Sequence, residues 1–260
     1  MADHHEDDEE RNPFAAPESD LMPDESEDES SDRSRRHRVI EAGDVISTSW
    51  EIFKRDMGLV IAGWLVFNVL NFASSLPQSV FDIVGGVFDG QGDKDTGAVF
   101  HILGVCLMPL GLAGQVFFQA GLIRFLLNVV RGEPMNIGDL FTGGRFFWRL
   151  LGSTIIYGLI VVVGTMACIV PGIILALMFA PFGYLLVDED LPGIDCIGKS
   201  REVTKDNLGA LFLLAIAAFG INVLGILALC IGTIFTGPLT TLFFAVAYCK
   251  MTGQRTAEDR

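Results

Sequence analysis

Long stretches without a single charged residue alternate with short polar segments after residue 56. Four of these stretches hold 25, 28, 38 and 43 uncharged, mainly apolar residues, and they end at Asp82, Arg124, Asp188 and Lys250. A helix that crosses a bilayer needs about 20 such residues. The first two stretches therefore each predict one spanning helix, and the last two each predict a pair joined by a tight turn. The pattern predicts an all-α, polytopic membrane protein with about six transmembrane helices.

The predicted spans form one domain, residues 39–253, followed by a short C-terminus, residues 254–260. The spans cover residues 57–76, 98–123, 150–170, 172–187, 208–229 and 231–249. Pro171-Gly172 and Gly232 mark the two tight turns. Pro109 interrupts the second span, and the sequence leaves open whether that helix is kinked or broken.

Three polar segments of similar design precede the predicted helix pairs. Each begins with an Asp and runs 13 or 14 residues to a Gly, over residues 44–58, 139–152 and 195–209. An Asp at this position suits a helix N-cap, and a short amphipathic helix suits the membrane interface. We predict three units, each an interfacial helix followed by two spanning helices, with Trp50, Phe53 and Trp148 as interfacial anchors. The alternative is chance similarity between amphipathic segments.

Charge is concentrated at the N-terminus. Residues 1–38 carry 14 acidic and 5 basic side chains, a net −9 of the total −14. Such a segment has too few apolar residues to offset the entropy of ordering it, so we predict a disordered acidic cytoplasmic tail. It has no apolar run of the kind that a signal peptide requires.

The distribution of Lys and Arg predicts an orientation in which both termini are cytoplasmic. Only Lys94 then lies outside; the basic residues inside are Lys54, Arg55, Arg124, Arg131, Arg145, Arg149, Lys199, Arg201, Lys205, Lys250, Arg255 and Arg260. The predicted location is the bacterial cytoplasmic (inner) membrane.

Residues 193–200 read GIDCIGKS and match the phosphate-binding loop pattern G-x-x-x-x-G-K-[ST]. A working loop of this type lies between a buried strand and a helix. Here the match lies between predicted spanning helices and within the third repeat segment, where Gly198, Lys199 and Ser200 align with residues 47–49. We interpret the match as accidental and predict that the protein is not an enzyme.

Other patterns do not indicate catalytic, cofactor or metal chemistry. Asp89, Asp93 and Asp95 resemble a calcium loop but lack its Gly and its closing Glu, so a solvated turn is the better interpretation. The five cysteines are scattered without C-x-x-C spacing, and four histidines assemble no metal set. The sequence therefore implies no catalytic residue, cofactor, metal or nucleic-acid partner.

A few uncharged polar residues remain inside the predicted spans. Gln115 and Gln119 share one helix face, and Asn222 lies in the fifth span; Asn68, Asn71 and Asn128 are further examples. Hydrogen bonding between helices accounts for such residues. The alternative is a substrate path lined by Gln115, Gln119 and Asn222.

Residues 170–253 carry a set of weak signals that resemble a known group of proteins. The matching residues are Val170-Pro171-Gly172, Phe179-Ala180-Pro181, Leu186-Val187-Asp188-Glu189-Asp190, Asn207-Leu208-Gly209, Pro238 and Ala247-Tyr248. This part of the chain is similar to bacterial YciC-like membrane proteins and to the membrane domain beside some glycerophosphodiester phosphodiesterases. The resemblance implies an all-helical membrane domain, and it does not carry the enzymatic activity of the phosphodiesterase fusion proteins over to this chain.

Two hypotheses follow for function. The first is a non-enzymatic membrane protein that binds or organises lipids or other membrane proteins, with the acidic tail available to a basic cytoplasmic partner. The second is a small-solute or lipid transporter.

Overall fold

The structure is a computed structural model that describes residues 39–134, 136–228 and 231–257. These residues form eight α-helices and one 3₁₀ helix, and they contain no strand. The α-helices are α1 (Ala42–Gly90), α2 (Lys94–Arg131), α3 (Phe147–Ala167), α4 (Ile169–Phe179), α5 (Phe182–Glu189), α6 (Gly193–Thr204), α7 (Leu208–Leu227) and α8 (Thr233–Met251). The 3₁₀ helix, Ile137–Arg145, connects α2 to α3. The predicted acidic tail, residues 1–38, lies outside the described residues.

Six helical segments in the described residues are long and apolar enough to cross a membrane. They are α1, α2, α3, the combined segment Ile169–Glu189, α7 and α8. The prediction of an all-α, polytopic membrane fold is therefore confirmed, with the number of spanning segments that the charge-free stretches indicate.

Helices α1 and α2 form a hairpin that is longer than the predicted spans. After a bend at Asp56 (φ −117°, ψ 25°), α1 continues without interruption to Gly90, past Pro77. Helix α2 continues through Pro109 to Arg131, so this segment is one helix and not two. At 1.5 Å per residue, the part of α1 after the bend is about 51 Å long and α2 about 57 Å.

The first and third repeat segments have matching geometry. Helix α1 bends at Asp56, and Asn207, the equivalent residue between α6 and α7, has nearly the same backbone angles (φ −116°, ψ 6°). Ser49 and Ser200 are likewise equivalent, and both are fully buried. A short helix, a bend and a long apolar helix therefore recur in the two units.

The second repeat segment differs from the other two in its secondary structure. The prediction that an Asp caps each of the three segments was wrong. Residues 137–145 form a 3₁₀ helix instead of an amphipathic α-helix, because Gly121 and Gly143 let it approach the backbone of α2 too closely for a wider helix. The three Asp residues are also not N-caps. The N-cap positions belong to Glu41, Asn136 and Pro192, and each Asp lies in the first turn.

The core lies in one half of the molecule and centres on α8. This helix contains the fully buried Phe243 and Tyr248 and is the most buried of the spanning segments. Gly237 of α8 lies against the Trp64 ring, where a Cβ atom would clash. Between Gly63 and Val116, by contrast, the only buried residues are three glycines of the α1–α2 hairpin.

Charged residues from distant parts of the chain meet at one end of the bundle, which we call the charged end. Lys250 donates to Asp44 (2.8 Å), and Arg131 pairs with Asp188. Residues 188–190, the acidic run at the C-terminal end of α5, join the three units. Asp188 pairs with Arg131, Glu189 pairs with Lys199, and Asp190 pairs with Arg145 and Arg149.

The opposite end of the hairpin is a short turn at residues 91–93. Gly92 adopts a left-handed conformation (φ 88°), and Asp93 caps α2 by accepting a hydrogen bond from the Thr96 amide (3.1 Å). The hydrogen bonds with Thr96 lower the pKa of Asp93 below its usual value. Asp89 belongs to the last turn of α1 and contacts His101, and Asp95 belongs to the first turn of α2, so the three Asp residues do not lie in one loop.

Candidate functional site

A cavity of about 500 Å³ opens between α1, α2, α5, α7 and α8, near the charged end. Most of its wall is apolar. The lining residues are Phe67, Asn71, Gln115, Gln119, Leu122, Ile123, Leu126, Ala180, Pro181, Phe182, Gly183, Tyr184, Leu211, Thr241, Phe244 and Met251. The volume lies in the range of sites that bind small molecules, roughly 300–1,000 Å³.

Three side-chain amides interrupt this apolar wall. Asn71 projects from α1, and Gln115 and Gln119 project from successive turns of α2. These three side-chain amides make no hydrogen bond with any other residue that the structure describes. Gln115 and Gln119 are exposed and Asn71 is half-buried, so the cavity is open and the amides are accessible from outside the bundle.

If the charged end lies at the membrane surface, the amides lie at the depth of the hydrocarbon core. Arg131 lies at the charged end of α2. Gln119 and Gln115 precede it by 12 and 16 residues, so they lie about 18 and 24 Å from it along the helix. The hydrocarbon core of a bilayer is about 30 Å thick. An amide without a partner there costs several kcal/mol, so a bound molecule or water must supply the missing hydrogen bonds.

Among the residues that the structure describes, no charged side chain lines the cavity. An amide offers both a donor and an acceptor, so the wall is suited to neutral polar groups such as esters, amides and hydroxyls. The apolar remainder is suited to a hydrocarbon chain. The site therefore matches an amphipathic molecule whose inserted part is uncharged.

Asn222, the third residue of the predicted path, lies elsewhere. Its side chain donates to Thr240 Oγ1 (3.1 Å) and accepts from Thr236 Oγ1 (3.2 Å), which joins α7 to α8. It does not line the cavity. The structure thus brings Gln115 and Gln119 together and gives Asn222 a hydrogen-bonding role between helices.

The cavity wall contacts the polar network at the charged end. The Tyr184 ring lines the cavity and stacks on Tyr248, with 5.4 Å between ring centroids. The Tyr248 hydroxyl donates to Asp188 (2.9 Å), and Gln254 Nε2 donates to the same carboxylate oxygen (2.6 Å). A molecule in the cavity therefore lies one aromatic layer from the ion pair between Asp188 and Arg131.

The predicted interfacial anchors separate into two groups. Trp50 and Trp148 are 47% and 79% exposed, as an anchor at the membrane surface requires. Phe53 is 2% exposed and packs in the core, because it lies on the inner face of α1. The aromatic spacing alone did not distinguish the two faces.

The residues that match the phosphate-binding loop form the first two turns of α6 and not a loop. Lys199 is paired with Glu189, and the Ser200 hydroxyl donates to the Met178 carbonyl (3.2 Å) and is fully buried. The two side chains that would contact a nucleotide are therefore engaged within the protein, and the segment has no neighbouring strand in the described residues.

Thiol and metal chemistry receive no support from the geometry. No group of three or more His, Cys, Asp or Glu in the described residues is arranged to hold a metal ion. Burial raises the pKa of the Cys196 thiol to about 11, and Glu189 and Asp195 act in the same direction. Cys196 is therefore a poor nucleophile at neutral pH.

Two of the polar residues at the site give little signal in the sequence. Asn71 is one of several polar residues in the predicted spans, and Thr241 lies in a mainly apolar segment of the last predicted span. Only the packing of α1 against α2 and α8 brings them to the same cavity as Gln115 and Gln119.

Comparisons with known proteins give distant relatives. Uncharacterised proteins of Mycobacterium bovis and of two strains of Mycobacterium tuberculosis are each 26% identical to the chain over 238 aligned positions, which cover 83% of this chain and 70% of the relative. No family model matches the chain, and no solved structure matches it. The resemblance of residues 170–253 to YciC-like proteins stays a prediction.

Proposed function

We propose that the protein is a membrane protein that binds a lipid, or a similar neutral amphipathic molecule, in the cavity between α1, α2, α5, α7 and α8. The observation that carries this proposal is the presence of three side-chain amides without partners, Asn71, Gln115 and Gln119, in an otherwise apolar cavity. Polar residues kept in an apolar environment without a structural partner are typical of a binding site.

The chemistry of the cavity favours a lipid over a charged solute. A charged solute would need counter-charges or many polar groups in the wall. Within the described part of the chain, the polar groups of the wall are three amides, one threonine and one tyrosine. An acyl chain gains from the apolar surface, and an ester or hydroxyl group at its end is matched by the amides. This proposal does not require an enzymatic activity.

The orientation completes the proposal. The charged end holds Arg131, Arg145, Arg149, Lys199 and Lys250, and by the distribution of basic residues it faces the cytoplasm. A lipid would then enter from the cytoplasmic half of the bilayer. The acidic tail would lie on the same side, where a basic protein is the partner that its charge favours.

Photo-crosslinking tests the proposal. The probe is phosphatidylethanolamine with a photoreactive acyl chain, incorporated into liposomes with the purified protein. We expect the cross-links to map to α2 and α8 peptides. The double variant Gln115→Leu, Gln119→Leu should lower the cross-linking yield about tenfold. Each lost hydrogen bond costs about 0.6 kcal/mol if it resembles the polar contacts between membrane helices, and the leucines also leave the polar group of the lipid unpaired.

The matched control is Gln78→Leu, which makes the same exchange on α1 outside the cavity and should leave the yield unchanged. Cross-linking spread evenly over the outer surface, or equal yields for the double variant and the wild type, would show that the cavity is not a lipid site. Movement of the probe between the leaflets that depends on Gln119 would instead identify a transporter that uses the same cavity.

A further inference from the structure

A row of polar side chains runs along α1 from the cavity towards the far end of the α1–α2 hairpin. Its members recur at the three- and four-residue spacing of one helix face, and Gly85 takes the one position of the series without a polar side chain. They are Asn71, Ser74, Gln78, Asp82 and Asp89, which we call the polar row. Because Asn71 also lines the cavity, the polar row begins inside the proposed lipid site.

Glycines of α2 lie opposite the polar row. A Cβ atom at Gly104 would lie 2.6 Å from the Asp82 carboxylate. The other opposed pairs are Ser74 with Gly114, Gln78 with Gly111, and Asp89 with Gly97. Because glycine has no side chain, α2 makes space for these polar groups and does not cover them.

The polar row is open to its surroundings. Phe88 stacks on Phe100 across the hairpin, with 5.4 Å between ring centroids, so part of the seam between the two helices is aromatic. The side chains of Asp82 and Asp89 are nevertheless 47% and 43% exposed. Gln78 is half-buried and makes no hydrogen bond with any other residue that the structure describes. The polar row is therefore accessible to a molecule beside the hairpin.

The polar row continues the cavity through the bilayer. Arg55 donates to the Val129 carbonyl (3.3 Å), so the bend of α1 at Asp56 lies level with the end of α2 near Arg131. Polar side chains follow from this level in steps of about 6 Å or less. Their heights are about 18 Å (Gln119), 22 Å (Asn71), 24 Å (Gln115), 27 Å (Ser74), 33 Å (Gln78) and 39 Å (Asp82). The hydrocarbon core is about 30 Å thick, so with the charged end at one membrane surface the series reaches past the other.

The chemistry of the polar row favours hydroxyl groups over phosphate. Amides and hydroxyls both donate and accept hydrogen bonds, and carboxylates accept them. Residues 71–89 and 101–119 contain no Lys or Arg. A phosphate group only accepts hydrogen bonds at its charged oxygens, and it would meet two carboxylates with His101 as the one basic side chain of these two segments. The hydroxyls of a sugar or of glycerol find acceptors along the whole row.

We propose that the polar row is a track along which the uncharged, hydroxyl-rich head group of a lipid, such as a glycosyl diacylglycerol, moves between the two leaflets. This inference rests on the proposed lipid site, because the cavity is the inner end of the track. The acyl chains stay in the hydrocarbon while the head group exchanges one polar partner for the next. The head group is thereby spared the cost of crossing hydrocarbon without hydrogen bonds. Such transfer equilibrates the leaflets and needs no energy source.

A leaflet-exchange assay tests the track. The purified protein is reconstituted into liposomes that contain glucosyl diacylglycerol with a fluorescent nitrobenzoxadiazole group on one acyl chain, and dithionite bleaches the probe in the outer leaflet. In protein-free vesicles the inner leaflet should stay protected, and with the wild type the whole population should be bleached. Gln78→Leu leaves a gap of about 12 Å between Ser74 and Asp82. It should slow the exchange at least about tenfold, which corresponds to about 1.4 kcal/mol in the barrier.

The matched control is Asn222→Leu, the same kind of amide-to-leucine exchange on α7, away from the polar row. It should leave the exchange rate unchanged. A second probe, phosphatidylglycerol with the same label, carries a phosphate and should not be transferred. Equal rates for the two lipids, a Gln78→Leu variant as fast as the wild type, or equal slowing by Asn222→Leu would overturn the track.

Photo-crosslinking separates the track from the lipid site itself. Gln78 lies outside the cavity, so Gln78→Leu should slow the exchange and keep the cross-linking yield in the cavity. A wild type that is cross-linked in the cavity but does not exchange the glucosyl lipid would overturn the track and leave the lipid site standing. Loss of specific cross-linking in the wild type would remove both.

Discussion

The hydroxyl of Tyr248 donates a hydrogen bond of 2.9 Å to the carboxylate of Asp188. This contact joins α8, the helix at the centre of the core, to the acidic run that links the three units. Asp188 also pairs with Arg131 and accepts from Gln254, so one carboxylate holds the ends of α2, α5 and α8 together. The Tyr248 ring stacks on Tyr184 in the cavity wall, which makes the network part of the support of the site.

Removing the Tyr248 hydroxyl should destabilise the bundle. A hydrogen bond to a charged acceptor contributes about 1.5–3 kcal/mol, and Tyr248 is fully buried. We expect Tyr248→Phe to lower the unfolding temperature by about 4–8 °C, measured by the intrinsic fluorescence of the protein in mild detergent. Tyr157→Phe is the control, because its hydrogen bond to the Ala176 carbonyl is long at 3.3 Å and its loss should have a smaller effect.

The two neighbouring acids Asp188 and Asp190 should differ strongly in their contribution. The side chains of Asp188 and Arg131 are 10% and 24% exposed. Asp188→Asn leaves a mostly buried guanidinium without its carboxylate, so it should lower the free energy of unfolding by about 3 kcal/mol. The partners of Asp190, Arg145 and Arg149, are at least half exposed. Asp190→Asn should therefore lower the free energy of unfolding by less than about 1 kcal/mol. Urea unfolding of the two variants checks the difference; equal losses would contradict the buried network.

Close packing between α1 and α8 gives a third prediction. Gly237→Ala places a methyl group against the Trp64 ring, and overpacking of this kind costs about 1–3 kcal/mol. Gly158→Ala on α3 meets open space and should be neutral or slightly stabilising, since alanine favours the helix by up to about 1 kcal/mol. Thermal unfolding distinguishes the two, and a Gly237→Ala variant as stable as the wild type would show that α1 and α8 are not in this register.

The number of spanning helices could be predicted from the sequence, but the length of the first two could not. The charge-free stretch ends at Asp82, so the sequence predicts that the spanning helix ends before this residue. In the structure Asp82 and Asp89 remain in α1, because glycines of α2 give their side chains space and His101 faces both carboxylates. Hydropathy along one helix contains no information on a partner helix that accommodates its charges.

The candidate site was predictable only in part for a similar reason. Gln115 and Gln119 could be selected because they share one face of one helix, a local property. Asn71 and Asn222 look alike in sequence, yet Asn71 faces the cavity and Asn222 bonds to α8. Their difference depends on the packing of helices that are far apart in the chain.

The thiol of Cys196 should be protected from alkylation in the folded protein. Its side chain is fully buried, and its pKa is raised from 9.0 to about 11. The thiolate is the reactive form, so at pH 8 only about one thiol in a thousand is reactive. Near neutral pH, we expect N-ethylmaleimide to label Cys196 after unfolding in sodium dodecyl sulfate and not before. Labelling of the folded protein should become detectable and accelerate as the pH rises towards 11. Peptide mass spectrometry resolves this site from the exposed Cys106 and Cys168; equal rates in folded and unfolded protein would contradict the burial.

Asn222→Leu and Gln119→Leu should have opposite effects on stability and on lipid binding. Asn222 makes two hydrogen bonds between α7 and α8, so its loss should cost about 1 kcal/mol at about 0.6 kcal/mol per contact and leave photo-crosslinking of the lipid unchanged. Gln119 has no partner among the described residues, so Gln119→Leu should not lower the unfolding temperature and should lower the cross-linking yield. If both variants lower the yield equally, the continuous path predicted from the sequence would be the better description, and the cavity would have to extend along α7 as far as Asn222.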